Sequence, residues 1–125
     1  MSTNTINPKE LLEALKCFNG SEQLFAHNLA GKLFIKITEG IKYLAETANC
    51  YWLLDIILSY QFKQDMKDQP VQVWKLTKQQ SNWLVRATDG NQNELITQVI
   101  AYSDFPLDEI TIWLIDEVAM LPSEY

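Results

Sequence analysis

One histidine, two cysteines and sixteen carboxylates are spread along this chain, and their spacing decides which chemistries are open to it. His27 has the residue type of a general base or metal ligand. No cysteine, second histidine or carboxylate stands beside it at ligand spacing, so it reads as a surface or partly buried structural residue. Cys17 and Cys50 are too few and too isolated for a disulfide framework or a zinc site, and are expected to be reduced thiols. Asp104, Asp108, Glu109, Asp116, Glu117 and Glu124 invite comparison with a cation loop. Calcium loops place oxygen ligands at alternate positions around a glycine. Here Phe105, Pro106 and Leu107 follow Asp104 and supply no side-chain oxygen, so no metal is expected. Glu46 with Asp55, or Asp108 with Glu109, would be needed for two-carboxylate glycosidic chemistry. Such pairs are plentiful in an acidic chain. No glycine-rich phosphate loop, Ser-His-Asp set or Cys-His pair is present, and no cofactor is expected.

Asp55 stands out by its surroundings. It lies in the run Tyr51, Trp52, Leu53, Leu54, Ile56, Ile57 and Leu58, where a buried charge must be paired or hydrogen-bonded. Lys42, Arg86 or a tyrosine hydroxyl are the expected partners. Asp55 is read first as a structural residue, and the alternative is that, with Tyr51, it forms the floor of a pocket.

Charge is distributed unevenly. Residues 1–80 carry nine bases against eight acids, and residues 81–125 carry one base, Arg86, against eight acids. The net charge of −6 therefore sits in the C-terminal third. An acidic surface repels phosphate and attracts basic partners. Tyr43, Tyr51, Trp52, Trp74, Trp83, Tyr102 and Trp113 are accordingly expected in a core or a protein interface, not in a nucleic-acid groove.

At 125 residues the chain is expected to form one domain with one core. No apolar run reaches the roughly 18 residues of a membrane span. The N-terminus lacks the basic and apolar regions of a secretory signal, so a cytoplasmic location is expected.

The elements follow from periodicity. Asn7-Pro8-Lys9-Glu10 has the order of a helix start, and Leu11, Leu12, Leu15 and Phe18 continue it to an Asn19-Gly20 stop. Residues 21–31 are ambiguous. Residues 33–37 predict a strand, Thr38-Glu39-Gly40 a turn, and residues 41–44 its hairpin partner. Residues 47–62 predict one helix, apolar nearly all round and so buried across a sheet, with Thr47 or Asn49 as its cap. Residues 63–70 read as a loop. Strands are expected at 71–77, 83–88, 95–102, 110–115 and 118–121. Polar or glycine-bearing joins make the first three an antiparallel meander. Residues 103–109 suggest a capped single turn, and Asp116-Glu117 a hairpin tip. The expected fold is α+β: an antiparallel sheet of about five to seven strands, packed on one long buried helix with an N-terminal helix beside it.

Two blocks carry a resemblance. One runs from Thr38-Glu39-Gly40-Ile41-Lys42-Tyr43-Leu44 through Ala48 into Tyr51-Trp52-Leu53-Leu54-Asp55. The other is Asp104-Phe105-Pro106-Leu107-Asp108-Glu109-Ile110, with Leu121-Pro122-Ser123-Glu124-Tyr125. Together they resemble a family of small bacterial proteins known only as a domain of unknown function, frequent in cyanobacteria and on mobile elements. The resemblance covers most of the chain from about Cys17. The family's Asp-Gly turn is replaced here by Glu39-Gly40. The resemblance implies a bacterial, cytosolic protein and brings no catalytic residues.

These readings favour a small, soluble, non-enzymatic interaction or accessory module. Its expected partner is another protein, a basic surface fitting the charge best, and no nucleic acid or membrane. A homodimer through a sheet edge or aromatic patch is a further form. The alternative is a small-molecule binder or small enzyme with a pocket near Asp55. The side chains nominated for binding are Asp55, Tyr51, Asp104, Asp108 and Glu109.

Overall fold

A computed structural model describes residues 7–18, 23–29, 33–91 and 93–125. The Asn7 side chain accepts a hydrogen bond from the Lys9 N–H at 2.8 Å, and Pro8 takes the first helical position. The helix so started, α1 (Pro8–Leu15), buries Leu11 and Leu15. The expected Asn19-Gly20 stop lies outside the described residues. Within the ambiguous segment, residues 24–29 form a strand. This β1 (Leu24–Leu29) pairs antiparallel with β2 (Leu33–Thr38).

Residues 41–44 are not the hairpin partner of β2. They belong to a helix, α2 (Glu39–Thr47). Thr38 is the cause: its backbone is extended, and its hydroxyl accepts from the Ile41 N–H at 3.2 Å. Ile41, Leu44, Ala45 and Ala48 then share one buried face. Four alternating residues mimic a strand only until the helical period around them is counted.

The long apolar helix is shorter than expected. It spans α3 (Tyr51–Tyr60). Thr47 ends α2, and Asn49 breaks the chain direction with φ of 54°. Cys50 holds the cap position of α3 without a side-chain hydrogen bond, so neither Thr47 nor Asn49 caps it. The expected loop at 63–70 contains one helical turn, α4 (Gln64–Lys67).

The later strands follow the alternation closely. They are β3 (Val71–Lys78), β4 (Trp83–Thr88), β5 (Glu94–Ile100), β6 (Glu109–Ile115) and β7 (Val118–Met120). A 3-10 turn at Pro122–Glu124 ends the fold. All seven strands form one sheet in the order β1-β2-β7-β6-β3-β4-β5. Every pairing is antiparallel except β2 with β7. Among the described residues, three-residue β7 alone joins the β1–β2 hairpin to the rest of the sheet.

The helices cover one face. Leu53, Leu54, Ile57 and Leu58 of α3 are buried against it, each contributing about 1.5–3 kcal/mol. Their sheet partners in the core include Ile35, Ile37, Trp74, Val85 and Ile112. Six strand spacings of about 4.8 Å separate β1 from β5, whereas ten-residue α3 is only about 15 Å long. Yet Asp55 reaches His27 on β1, and the Tyr60 hydroxyl donates to Gln98 on β5 at 2.7 Å. Side chains of α3 therefore reach both edge strands of the sheet, one toward each end of the helix.

One polar network locks the far end of α3. Gln61 and Gln72, both buried, exchange amide hydrogen bonds in both directions at 2.9 Å. Gln72 also accepts from the Trp74 indole N–H at 2.9 Å and donates to the Met66 carbonyl at 2.8 Å. Each buried amide is answered, so the network ties α3, α4 and β3 without a desolvation penalty left open.

Candidate functional site

His27 and Asp55 meet. The His27 Nε2 lies 2.8 Å from Asp55 Oδ1, with β1 supplying the imidazole and α3 the carboxylate. Tyr51, one turn before Asp55, stacks on the imidazole with ring centroids 5.7 Å apart. Sequence spacing concealed this pair, and it corrects two expectations. Asp55 is answered by His27 instead of Lys42, Arg86 or a tyrosine. Nor is it a buried charge, since its side chain is 47% exposed against 15% for His27.

Around the pair stand further polar groups. Lys42 bridges Glu46 at 3.3 Å and lies 4.8 Å from the centre of the Phe25 ring. Burial pushes the Tyr51 phenol above its ordinary value, and the Glu46 carboxylate adds to the shift. An imidazole oriented by a carboxylate can exchange a proton with a bound group. Hydrolytic use would also require a nucleophile. Cys50 adjoins Tyr51 in the chain, but burial pushes its thiol up to about 12, so it stays protonated. The Ser59 hydroxyl donates to the Ile56 carbonyl at 2.7 Å.

The other nominated acids lie elsewhere. Asp104 and Asp108 are exposed in the β5–β6 connection, which forms bends and no helical turn. The local bond there is from the Phe105 N–H to the Ser103 hydroxyl at 3.1 Å, so Ser103 and not Asp104 braces the segment. Glu109 opens β6 and pairs with Lys75 at 3.6 Å. Strand order separates these acids from the His27–Asp55 pair, so Asp55 and Tyr51 share one place and Asp104, Asp108 and Glu109 another. Among the described residues no three His, Cys, Asp or Glu side chains are grouped to hold a metal ion.

Glu124, one of the acids that invite comparison with a cation loop, is buried. Its Oε1 accepts from the Thr38 hydroxyl at 2.6 Å and the Leu121 N–H at 3.0 Å. Its Oε2 accepts from the Gly40 N–H at 3.1 Å. A carboxylate is thus seated at the N-terminus of α2, where the helix dipole favours negative charge. Gly40 makes room for it: a Cβ there would stand 2.6 Å from Glu124 Oε1 and 2.7 Å from Leu121 Cδ1. The segments Thr38-Glu39-Gly40 and Leu121–Tyr125, distant in sequence, are therefore one structural unit.

Among the described residues no helix lies over the open face of the sheet. Register places Val73, Trp113 and Met120 in one row across β3, β6 and β7. Val71, Ile115 and Val118 form the next row. All six are half-buried. The Tyr125 ring meets Trp113 edge-on with centroids 5.2 Å apart. At one end of the patch, Asp116 and Glu117 form the two-residue tip of the β6–β7 hairpin, with φ of 51° and 66°. At the other, Lys75 and Arg86 face each other across β3 and β4. They lean outward, Lys75 to Glu109 and Arg86 to Glu94 at 2.9 Å, leaving a hollow of about 370 Å³ over Val73 and Thr88. Bonds from Thr97 and Arg86 hold the Glu94 carboxyl below its usual range.

The aromatic residues divide accordingly. Trp74 and Trp83 are core, Tyr43 on α2 and Tyr51 and Trp52 on α3 are half-buried, Tyr102 is exposed, and Trp113 belongs to the open face.

The chain belongs to the family of unknown function DUF6876, whose model matches residues 9–125. Curated proteins and solved structures gave no match.

Proposed function

We propose that this member of the family is a non-enzymatic protein-interaction module that docks its partner on the open face of the sheet, as an accessory factor of a larger assembly. The observation that carries this reading is the two-row apolar patch of Val71, Val73, Trp113, Ile115, Val118 and Met120. It is contiguous across three strands, half-exposed, touched by the Tyr125 ring at Trp113, free of any helix among the described residues, and rimmed by charge. Contiguous apolar surface with a polar rim is the usual mark of a docking surface. The Asp116–Glu117 tip at its end favours a partner with a basic side, which fits the acidic C-terminal third.

The test is affinity capture from the native host with the wild-type chain and with Trp113→Lys, Met120→Lys. Circular dichroism would verify that the variant is folded. A defined protein retained by the wild type and lost by the variant supports the reading, and elution at high salt supports the basic side. Equal retention by both chains sinks it.

A second reading, a small-molecule site, is favoured by the His27–Asp55–Tyr51 cluster. A ligand screen by thermal shift separates the two: a stabilising compound whose effect is lost in His27→Ala would favour the second.

A further inference from the structure

We infer that the outer edge of β5 pairs antiparallel with the β5 of a second copy, joining two seven-stranded sheets edge to edge. Strand order leaves β5 at the end of the sheet, so the main-chain N–H and C=O groups on its outer side have no strand partner among the described residues. Folded proteins blunt such edges with lysine, proline, shortness, bulges or inward charges. In β5, Glu94-Leu95-Ile96-Thr97-Gln98-Val99-Ile100, there is no lysine and no proline, and the only charge is the first residue. The register shift between Ala87 and Thr88 makes Leu95 the extra residue of a bulge in β5 itself, which blunts the start of the edge and leaves Ile96–Ile100 in unbroken register with β4.

Exposed apolar side chains gather at the same edge. Val99 is 58% exposed, and Tyr102, two residues beyond the strand, is 80% exposed. The opposite edge strand, β1, shows one such side chain, Leu24, among its described residues.

The sequence of β5 also suits a copy of itself. Antiparallel pairing about a two-fold axis sets the start of one strand beside the end of the other. Glu94 then faces the Ile100 end of its partner copy, and the two Glu94 carboxylates stay about 20 Å apart. Within its own copy Glu94 is already held by Arg86. No like charges are opposed along the new ladder.

Size and charge set the strength. The regular edge, Ile96–Ile100, is about 17 Å long and about 10 Å thick, so with Tyr102 beside it the contact covers roughly 300 Å² per copy, the size of a weak, transient association. Each copy carries −6, so salt should tighten this contact by screening repulsion. Docking of a basic partner on the open face would respond to salt in the opposite sense.

Sedimentation of the full chain, from about 10 µM to about 1 mM, tests the inference by mass action. The expected mass rises from 14.5 kDa toward twice that value, more steeply in high salt. Thr97→Lys with Val99→Lys, both at exposed positions, should stay at 14.5 kDa while remaining folded by circular dichroism. In the wild type, amide exchange at Ile96–Ile100 should slow as concentration rises. Trp113→Lys should dimerise as the wild type does, which separates this contact from the docking face. A mass fixed at 14.5 kDa throughout, a double lysine variant that associates unchanged, or protection that appears elsewhere would each overturn it.

Discussion

Glu124 and Asp55 are both carboxylates that reach across the fold to a distant segment, and they differ in what surrounds them once they arrive. Glu124 is buried, and both of its oxygens accept hydrogen bonds from Thr38, Gly40 and Leu121. Asp55 stands half in solvent, with its imidazole partner on an edge strand. The first arrangement spends its hydrogen-bonding capacity inside the protein and fixes one geometry. The second keeps capacity in reserve. A polar group that is fully satisfied and enclosed is a fastening, whereas one with spare lone pairs at the surface remains available to a ligand.

The contrast can be broken most easily at Gly40. Alanine inside a helix normally stabilises by up to about 1 kcal/mol over glycine. Here Gly40→Ala should destabilise by about 3 kcal/mol in urea unfolding, because the added methyl collides with Glu124 and displaces its bonds. A neutral or stabilising result would mean that the terminal segment yields without loss. Next in size, Glu124→Ala should cost about 2 kcal/mol by leaving the Thr38 hydroxyl and the Gly40 N–H unanswered. The two substitutions should be strongly non-additive, since each removes the same contact.

Asp55→Asn should cost less than about 1 kcal/mol, as expected of a half-exposed side-chain hydrogen bond. If its loss in the same urea titration equals that of Glu124→Ala, the distinction between the two carboxylates fails. The smallest effect concerns the thiols. Cys17 is exposed and should alkylate in the native protein, while buried Cys50 should react only on unfolding. Burial raises the Cys50 thiol from 9.0 to about 12, so the folded chain holds that proton more tightly than the unfolded one. The stability tied to it is complete below about 9 and declines as pH climbs toward about 12. Stability monitored across that alkaline range in the wild type and in Cys50→Ala should diverge in this sense.

How far the fold could be read depended on how local its determinants are. The strands β3, β4, β5, β6 and β7 announce themselves through alternation and turn residues, and each lies within a residue or two of its expected bounds. The helix α2 looks like a strand in the sequence because Ile41-Lys42-Tyr43-Leu44 alternates. The cap that decides the matter is Thr38, three residues before Ile41, in what looked like a turn. The break at Asn49 depends on a left-handed backbone that composition does not reveal. Of the nominated site, Asp55 and Tyr51 were visible as polar groups in an apolar run. His27 was not visible as their companion, because its 28-residue separation from Asp55 is closed only when β1 comes under α3. Glu124 was legible as part of a recurring block and not as a buried acceptor.

The parallel pairing of β7 with β2 bears on how the chain folds. The β1–β2 hairpin and the β3–β4–β5 meander are built from near neighbours and can form early. The β6–β3 pairing comes next in span. By contrast, β7 must find Lys36 and Ile37 from some eighty residues away and holds them through three residues of its own. Loop closure over such a span is an entropic barrier met before any contact rewards it. We therefore expect the insertion of β7 to be a late folding event. Substitutions there should chiefly speed unfolding, while those in the β3–β4 hairpin should slow folding.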